Sequence, residues 1–197
     1  MTPLVLASAS PRRLELLRRV GFEPEVVPAD VDESVLPGET ADDYVLRVAA
    51  DKARVVAATR RGAVVLAADT AVVLDGEPLG KPADADDALE ILRRLRGRTH
   101  EVLSAVVVDD PDGVQHAALA RATVTLVDAS DDELRWYIGT GEPLDKAGAY
   151  GVQGTGAVLV ERVEGDPTTV IGLPLRTAVE LLVSAGAAAP GRSDGQG

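Results

Sequence analysis

Pro3-Leu-Val-Leu-Ala-Ser-Ala-Ser-Pro-Arg-Arg-Leu-Glu-Leu-Leu-Arg-Arg-Val-Gly21 carries two structural signals in immediate succession. Residues 3–8 are apolar and small, the signature of a short buried strand. Ser10-Pro11 then reads as an N-cap with proline at the first helical position, where no backbone N–H is needed. The helix it opens runs to about Val20 and stops at Gly21. A strand that feeds a helix so directly is the opening step of an α/β chain.

Further along, residues 23–28 suggest a second strand, and 30–39 an acidic loop. Thr40 with Asp43 resembles a capping box, opening a long helix to about Arg61. Residues 63–68 form an apolar strand that ends at Asp69-Thr70, and 71–74 stay extended into the hairpin-turn pair Asp75-Gly76. Asp84 caps a helix bearing Leu89, Leu92 and Leu95, closed by Gly97. Residues 102–109 and 114–127 flank Asp-Pro-Asp-Gly as a long antiparallel hairpin. Ser130-x-x-Glu133 is a full capping box. Residues 142–156 read as a long glycine-bearing loop, 157–163 as a strand, and Pro174 opens a last helix to about Ser184. The fold class is α/β with a mixed sheet, not a regular parallel βαβ array. Residues 1–184 are expected to form one domain, and 185–197, small and rich in Gly, a disordered tail.

Composition removes several functions. Thirty-two acidic against twenty basic residues leave a net charge of −12, the opposite of a nucleic-acid footprint. Five aromatic residues are too few for a single-strand stacking platform. With no cysteine there is no zinc-thiolate site, and with only His100 and His116 no His-based one. A metal would therefore sit among carboxylates, which points to Mg²⁺ or Mn²⁺. No apolar run approaches the ~18 residues of a membrane span, and no targeting segment is visible, so a cytoplasmic protein is expected.

Several residues break local rules. Arg12 and Arg13 fall in the first turn of a helix, where the dipole is already positive. Either they cradle an anion there or they turn into water. Of the twenty basic residues only Lys52, Lys81 and Lys146 are lysines. Lys52 follows Val45, Val48 and Ala49 on an apolar stripe, so it snorkels or meets an anion. Asp69 closes a buried apolar run, as a turn residue or as a metal-holding or proton-accepting carboxylate. Glu33 is a second candidate carboxylate, or simply a solvated part of its acidic loop. Lys81, in Leu79-Gly-Lys-Pro82, is not in a P-loop, and Gly151-Val-Gln-Gly-Thr-Gly156 lacks the dinucleotide spacing.

Leu6-Ala-Ser-Ala-Ser-Pro-Arg-Arg13, Glu33, Lys52-Ala53, Ala68-Asp-Thr70, Gly80-Lys-Pro82, Asp145-Lys-Ala-Gly-Ala-Tyr-Gly-Val-Gln-Gly154 and Val170-Ile-Gly-Leu-Pro174 occur in the order found in one family. Together they resemble the Maf family of nucleoside triphosphate pyrophosphatases. The resemblance implies two lobes around an elongated mixed β-sheet with flanking helices, the nucleotide lying in a cleft between them. It implies hydrolysis of a nucleoside triphosphate to monophosphate and pyrophosphate with a divalent cation. Asp69 matches the proton acceptor, and Glu33 and Asp69 are the carboxylates for the metal side. Ser8, Arg12, Arg13, Glu33, Lys52, Thr70, Lys81, Lys146 and Gln153 match substrate-binding positions. Arg12, Thr70 and Gln153 resemble the branch preferring dTTP and UTP. The resemblance leaves a homodimer open, and no nucleic-acid or membrane partner is expected. A nucleotide-binding regulator of cell division with incidental hydrolysis is the alternative. A phosphatase of the aspartyl-phosphate type lacks the second Asp two residues after Asp69, where Ala71 stands.

Overall fold

The computed structural model describes residues 2–188. Strand β1 (Leu4–Leu6) leads through Ser10 into helix α1 (Pro11–Arg19), with Pro11 in the first turn. Ser10 holds the cap position, but its side chain makes no capping hydrogen bond. The hydroxyl that shapes the turn belongs to Ser8, whose Oγ accepts from the Ser10 N–H at 3.2 Å. Strand β2 (Glu25–Val26) is shorter than the sequence suggests. Pro24 and Pro28 bracket it, and neither has an N–H to extend a ladder.

Helix α2 (Ala41–Ala57) starts as expected but ends four residues early. Its last turn tightens where the Thr59 hydroxyl donates to Val56 O at 2.9 Å and Arg60 N–H to Ala57 O at 3.1 Å. At its start Thr40 Oγ1 accepts from Asp43 N–H, but Asp43 returns only to the Thr40 hydroxyl, at 2.7 Å. The shorter Asp side chain makes half of the box that a Glu would complete.

Strand β3 (Val64–Leu74) corrects the expectation for Asp69. It runs on unbroken, because residues 71–74 are as buried as 63–68, so Asp69 lies mid-strand and not at a strand end. The turn that follows has Asp75 at φ 53° and Gly76 at φ 83°, and leads into β4 (Glu77–Leu79), with Leu74 opposite Glu77.

The next elements are α3 (Ala85–Leu95), β5 (Thr99–Asp109), β6 (Gln115–Leu126) and α4 (Asp131–Ile138), the last with both halves of its capping box. The segment read as a loop is instead built of three short 3₁₀ turns, Glu142–Asp145, Ala147–Ala149 and Thr155–Leu159. The third of these delays β7 (Val160–Gly165) by three residues. Helix α5 (Pro167–Ile171) was not foreseen, being too short for a periodic signal. Helix α6 (Leu175–Ser184) begins after Pro174 as expected, and residues 189–197 of the expected tail lie outside the described residues.

The sheet has the order β2-β1-β3-β5-β6-β7, with β4 also paired to β3. It is mixed: β1 is parallel to β2 and β3, whereas β4 on β3 and β7 on β6 are antiparallel. Strand β3 meets β1 through Val64–Leu66 and β4 through residues 72–74, so Asp69 falls between the two paired stretches.

Two compact units are present. Among the described residues, the first holds those up to Asp69, Ser104–Leu119 and 172–188. It buries Leu6, Leu17, Val45, Val48, Leu66, Val106 and Leu182. The second holds Thr70–Leu103 and Ala120–Ile171, with a core built on Leu74, Leu92, Leu95, Leu126, Leu134 and Tyr137. Neither unit is a continuous stretch of chain. No helix among the described residues is long and apolar enough to cross a membrane.

Candidate functional site

In the first unit five of the singled-out residues converge. The stripe of α2 buries Val45, Val48, Ala49, Ala53 and Val56, and Lys52 sits among them at 7% exposure. A lysine held there needs an anion, and it has two. Its Nζ lies 2.8 Å from Asp69 Oδ1 and 2.6 Å from Glu33 Oε1. Asp69 comes from the middle of β3 and is itself 6% exposed; Glu33 comes from the acidic loop and is more open. Snorkelling is thus replaced by a buried ion pair, whose attraction has to offset the desolvation of both charges.

Arg13 joins this group from α1. Its Nε donates to Gly172 O at 2.9 Å and an Nη to Ser8 Oγ at 3.1 Å. Burial pushes the Arg13 guanidinium down from its ordinary range, and the Asp69 carboxylate opposes that shift. Burial raises the Asp69 carboxyl above its ordinary value, and Lys52 and Arg13 offset this without reversing it. The arrangement sets cations and carboxylates close together in a poorly solvated place, where each charge counts for more than in water. Arg12, in the same helical turn, is half-buried. Ser8 is buried, and its hydroxyl is engaged in holding Arg13 and the turn.

The remaining singled-out residues belong to the second unit. Thr70 follows Asp69 on β3 and is half-buried; neighbours on a strand point to opposite faces. Lys81 and Gln153 are exposed, and neither side chain pairs with any described residue. Gly80 O accepts from Gly148 N–H at 3.1 Å, which fastens the Gly80-Lys81 turn to the loop that carries Gln153. Lys146 is turned into its own loop, its Nζ donating to Glu142 O at 2.7 Å and to Asp145 Oδ1 at 2.6 Å.

Other functional groups did not stand out in the sequence. Tyr44 donates its hydroxyl to Glu33 O at 3.1 Å, and burial with the negative charges of Asp69 and Glu33 pushes its phenol up to about 12. Arg47 donates to Ser34 O at 2.9 Å and bridges Glu39 at 2.5 and 2.9 Å, tying the acidic loop to α2. Their i, i+3 spacing on α2 was a usable signal for a shared face. The Gly172 carbonyl carried no such signal, because any residue supplies one.

The Maf-like protein family model matches residues 3–185. A dTTP/UTP pyrophosphatase of Anaeromyxobacter dehalogenans strain 2CP-1 is 56% identical over 186 residues, covering 93% of this chain and 94% of that protein. A dTTP/UTP pyrophosphatase of Myxococcus xanthus strain DK1622 is 50% identical over 192 residues, covering 98% and 97%. Among solved structures, a HAM1 protein from Coxiella burnetii superposes with a TM-score of 0.53 at 15% identity, covering 93% of this chain and 100% of that one. The Staphylococcus aureus Ham1 protein gives 0.51 at 16%, covering 93% and 97%. At such identities the structural likeness shows a shared fold alone. The family match, in contrast, spans every residue of the Lys52–Asp69–Glu33 cluster and both glycine-bearing turns, and on that extent of agreement the chain belongs to the Maf family.

Proposed function

We propose that this chain hydrolyses nucleoside triphosphates, dTTP and UTP foremost, to the monophosphate and pyrophosphate. The observation that carries the reading is the Lys52 ammonium held between Asp69 and Glu33 beside Arg13. The names of the two relatives described above, both dTTP/UTP pyrophosphatases, supply the substrate. A triphosphate brings close to four negative charges into a protein at −12, so local cations have to overcome the background. Arg12, Arg13, Lys52 and Lys81 are assigned that role. Lys146 and Ser8 serve by holding the Gln153 loop and Arg13 in place.

The reading includes Mg²⁺ or Mn²⁺. Among the described residues no cluster of three or more His, Cys, Asp or Glu side chains is placed to hold a metal. Mg²⁺ does not need one, since it commonly takes one or two carboxylates and completes its shell with water and substrate phosphates. Glu33 and Asp69 already converge on one cationic centre, the Lys52 nitrogen, so the donor set fits. When bound, the cation supplies charge neutralisation at the phosphates. Asp69, ionised, accepts a proton from the attacking water as its oxygen bonds to the α-phosphorus. The bond from that phosphorus to the bridging oxygen breaks, and pyrophosphate leaves with the electron pair. Thr70 and Gln153 offer neutral donors and acceptors to the pyrimidine edge, with Arg12 completing the selective set. Such a site disfavours cytosine, whose amine replaces an acceptor by a donor.

The reading places the protein in the cytoplasm, acting on free nucleotides with no nucleic-acid or membrane partner, and leaves a homodimer open. Incubation with dTTP and Mg²⁺, with products resolved by chromatography, tests the reaction. Monophosphate plus pyrophosphate is expected. Orthophosphate release would favour a phosphatase, and tight binding without turnover a nucleotide-sensing regulator. Side-by-side kinetics on dTTP, UTP, CTP, ATP and 7-methylguanosine triphosphate test the base: a flat profile removes the pyrimidine assignment and leaves the reaction standing.

A further inference from the structure

The glycine-bearing segment 142–156 is closed by a carboxylate of its own. Glu142 Oε2 accepts from Thr155 N–H at 2.7 Å, and Oε1 accepts from Gly156 N–H and the Tyr137 hydroxyl, each at 3.2 Å. The same Tyr137 oxygen accepts from Gly151 N–H at 3.2 Å. One carboxylate therefore closes the loop from its first turn to its last. Two glycines leave room for this arrangement, one beside the carboxylate and one beside the tyrosine that donates to it. A Cβ at Gly154 would overlap the Glu142 carboxylate, and one at Gly156 would come to 2.6 Å from Tyr137 Oη. Burial works against the ionised Glu142, yet the three donors outweigh it and hold the carboxyl below its ordinary value.

The loop so closed presents Gln153 to solvent and starts from Lys146, which donates to the backbone carbonyl of this same Glu142. We infer that Glu142 is a positioning residue for nucleotide selection, an internal carboxylate that shapes the 151–156 backbone and thereby sets where Gln153 can meet a base. This rests on the proposed nucleotide site. In sequence Gly151-Val-Gln-Gly-Thr-Gly156 is only a glycine-bearing stretch without the dinucleotide spacing; in the structure its Thr155 and Gly156 amides are taken by a side chain of the chain itself.

Glu142→Gln keeps the shape and removes the charge. It is expected to raise KM for dTTP by about tenfold, the scale for losing a charge-assisted hydrogen bond. It leaves kcat within about threefold, because Asp69, Glu33 and Lys52 stand on other elements. The dTTP-to-CTP ratio of kcat/KM falls with it. Amide hydrogen exchange supplies a readout independent of turnover: the Thr155 and Gly156 amides exchange faster in the variant, and those of α3 do not. Gly154→Ala forms the second arm. It is expected to reproduce the KM effect alone, but to add little in a Glu142→Ala background, where the carboxylate it displaces is gone.

Unchanged KM and unchanged Thr155 and Gly156 exchange in Glu142→Gln overturn the inference, as does full additivity with Gly154→Ala. A fall in kcat alone also overturns it. If the wild-type protein turns over no nucleotide, the functional reading fails, and faster exchange without any change in nucleotide binding then counts against a role in selection.

Discussion

At Asp69 two demands meet on one carboxylate. In the proposed reaction it must ionise to accept a proton, and burial resists ionisation. Its titration is therefore raised above its ordinary value, and in the proposed reaction the acid limb of kcat/KM follows it, with activity growing as pH rises. Asp69→Asn should lower turnover by roughly 10²-fold or more and abolish that limb, while thermal melting shows the fold intact. A variant with most of its turnover left removes Asp69 from the proton-accepting role. Lys52 makes a different prediction, because its ammonium lies where a divalent cation would be attracted. Without nucleotide, Lys52→Met should bind Mn²⁺ about tenfold or more tighter than wild type, measured by titration calorimetry. Equal affinities would show that the ammonium does not compete. Turnover by Lys52→Met should still fall, since the phosphate contact proposed for this ammonium is lost.

The elements deliver these residues by ordinary means. A stripe on α2 brings Lys52 inward, a continuous β3 carries Asp69 under it, and Tyr44 and Arg47 fasten the Glu33 loop to the same helix. In the second unit the approach of the 147–149 turn to β3 is set by one glycine. Gly148 has φ 71°, and a Cβ there would lie 2.8 Å from Val72 Cγ2 and 2.9 Å from Cγ1. Gly148→Ala should therefore cost about 2–4 kcal/mol, from the left-handed backbone together with overpacking. Adding Val72→Ala should restore the packing share only. Denaturant unfolding of these two variants and of Val72→Ala alone measures this, and a loss below about 0.5 kcal/mol in Gly148→Ala would mean that the turn simply moves aside.

Across the whole molecule, stability is tied to pH through His100. Its Nε2 and the Tyr150 hydroxyl are 2.7 Å apart, its Nδ1 is buried without a partner, and burial lowers its pKa from 6.5 to about 4. Between those values the unfolded chain holds the extra proton, so stability rises with pH across the window. The contribution is complete above pH 6.5 and is lost as pH falls through about 4. The full difference is about 3 kcal/mol. His100→Gln keeps a partner for Tyr150 and should flatten the dependence in urea melts from pH 7 to pH 4. Parallel curves for the two proteins would assign the acid sensitivity elsewhere. Because Tyr150 lies inside the Asp145 to Gly154 segment, acid loosening should reach the Gln153 loop early.

From the sequence alone, periodicity and turn chemistry determined the α/β class, the caps of α3 and α4, the Asp75-Gly76 hairpin and the inward position of Lys52. Each of these is decided by residues within one or two turns of each other. The residues of the Lys52 cluster were also visible one by one, as charges that violated a local pattern. Only the tertiary structure decided what answered each violation, Asp69 and Glu33 for Lys52 and Ser8 and Gly172 for Arg13, and only it showed the Glu142 carboxylate closing the glycine-bearing loop. It also moved Asp69 from a strand end to mid-strand, since an apolar run broken by one polar pair does not reveal whether a strand stops there. The physical reason is common to all of these. Local sequence sets which backbone conformations are cheap, but the partner of a buried charge is chosen by the packing of segments far apart in the chain.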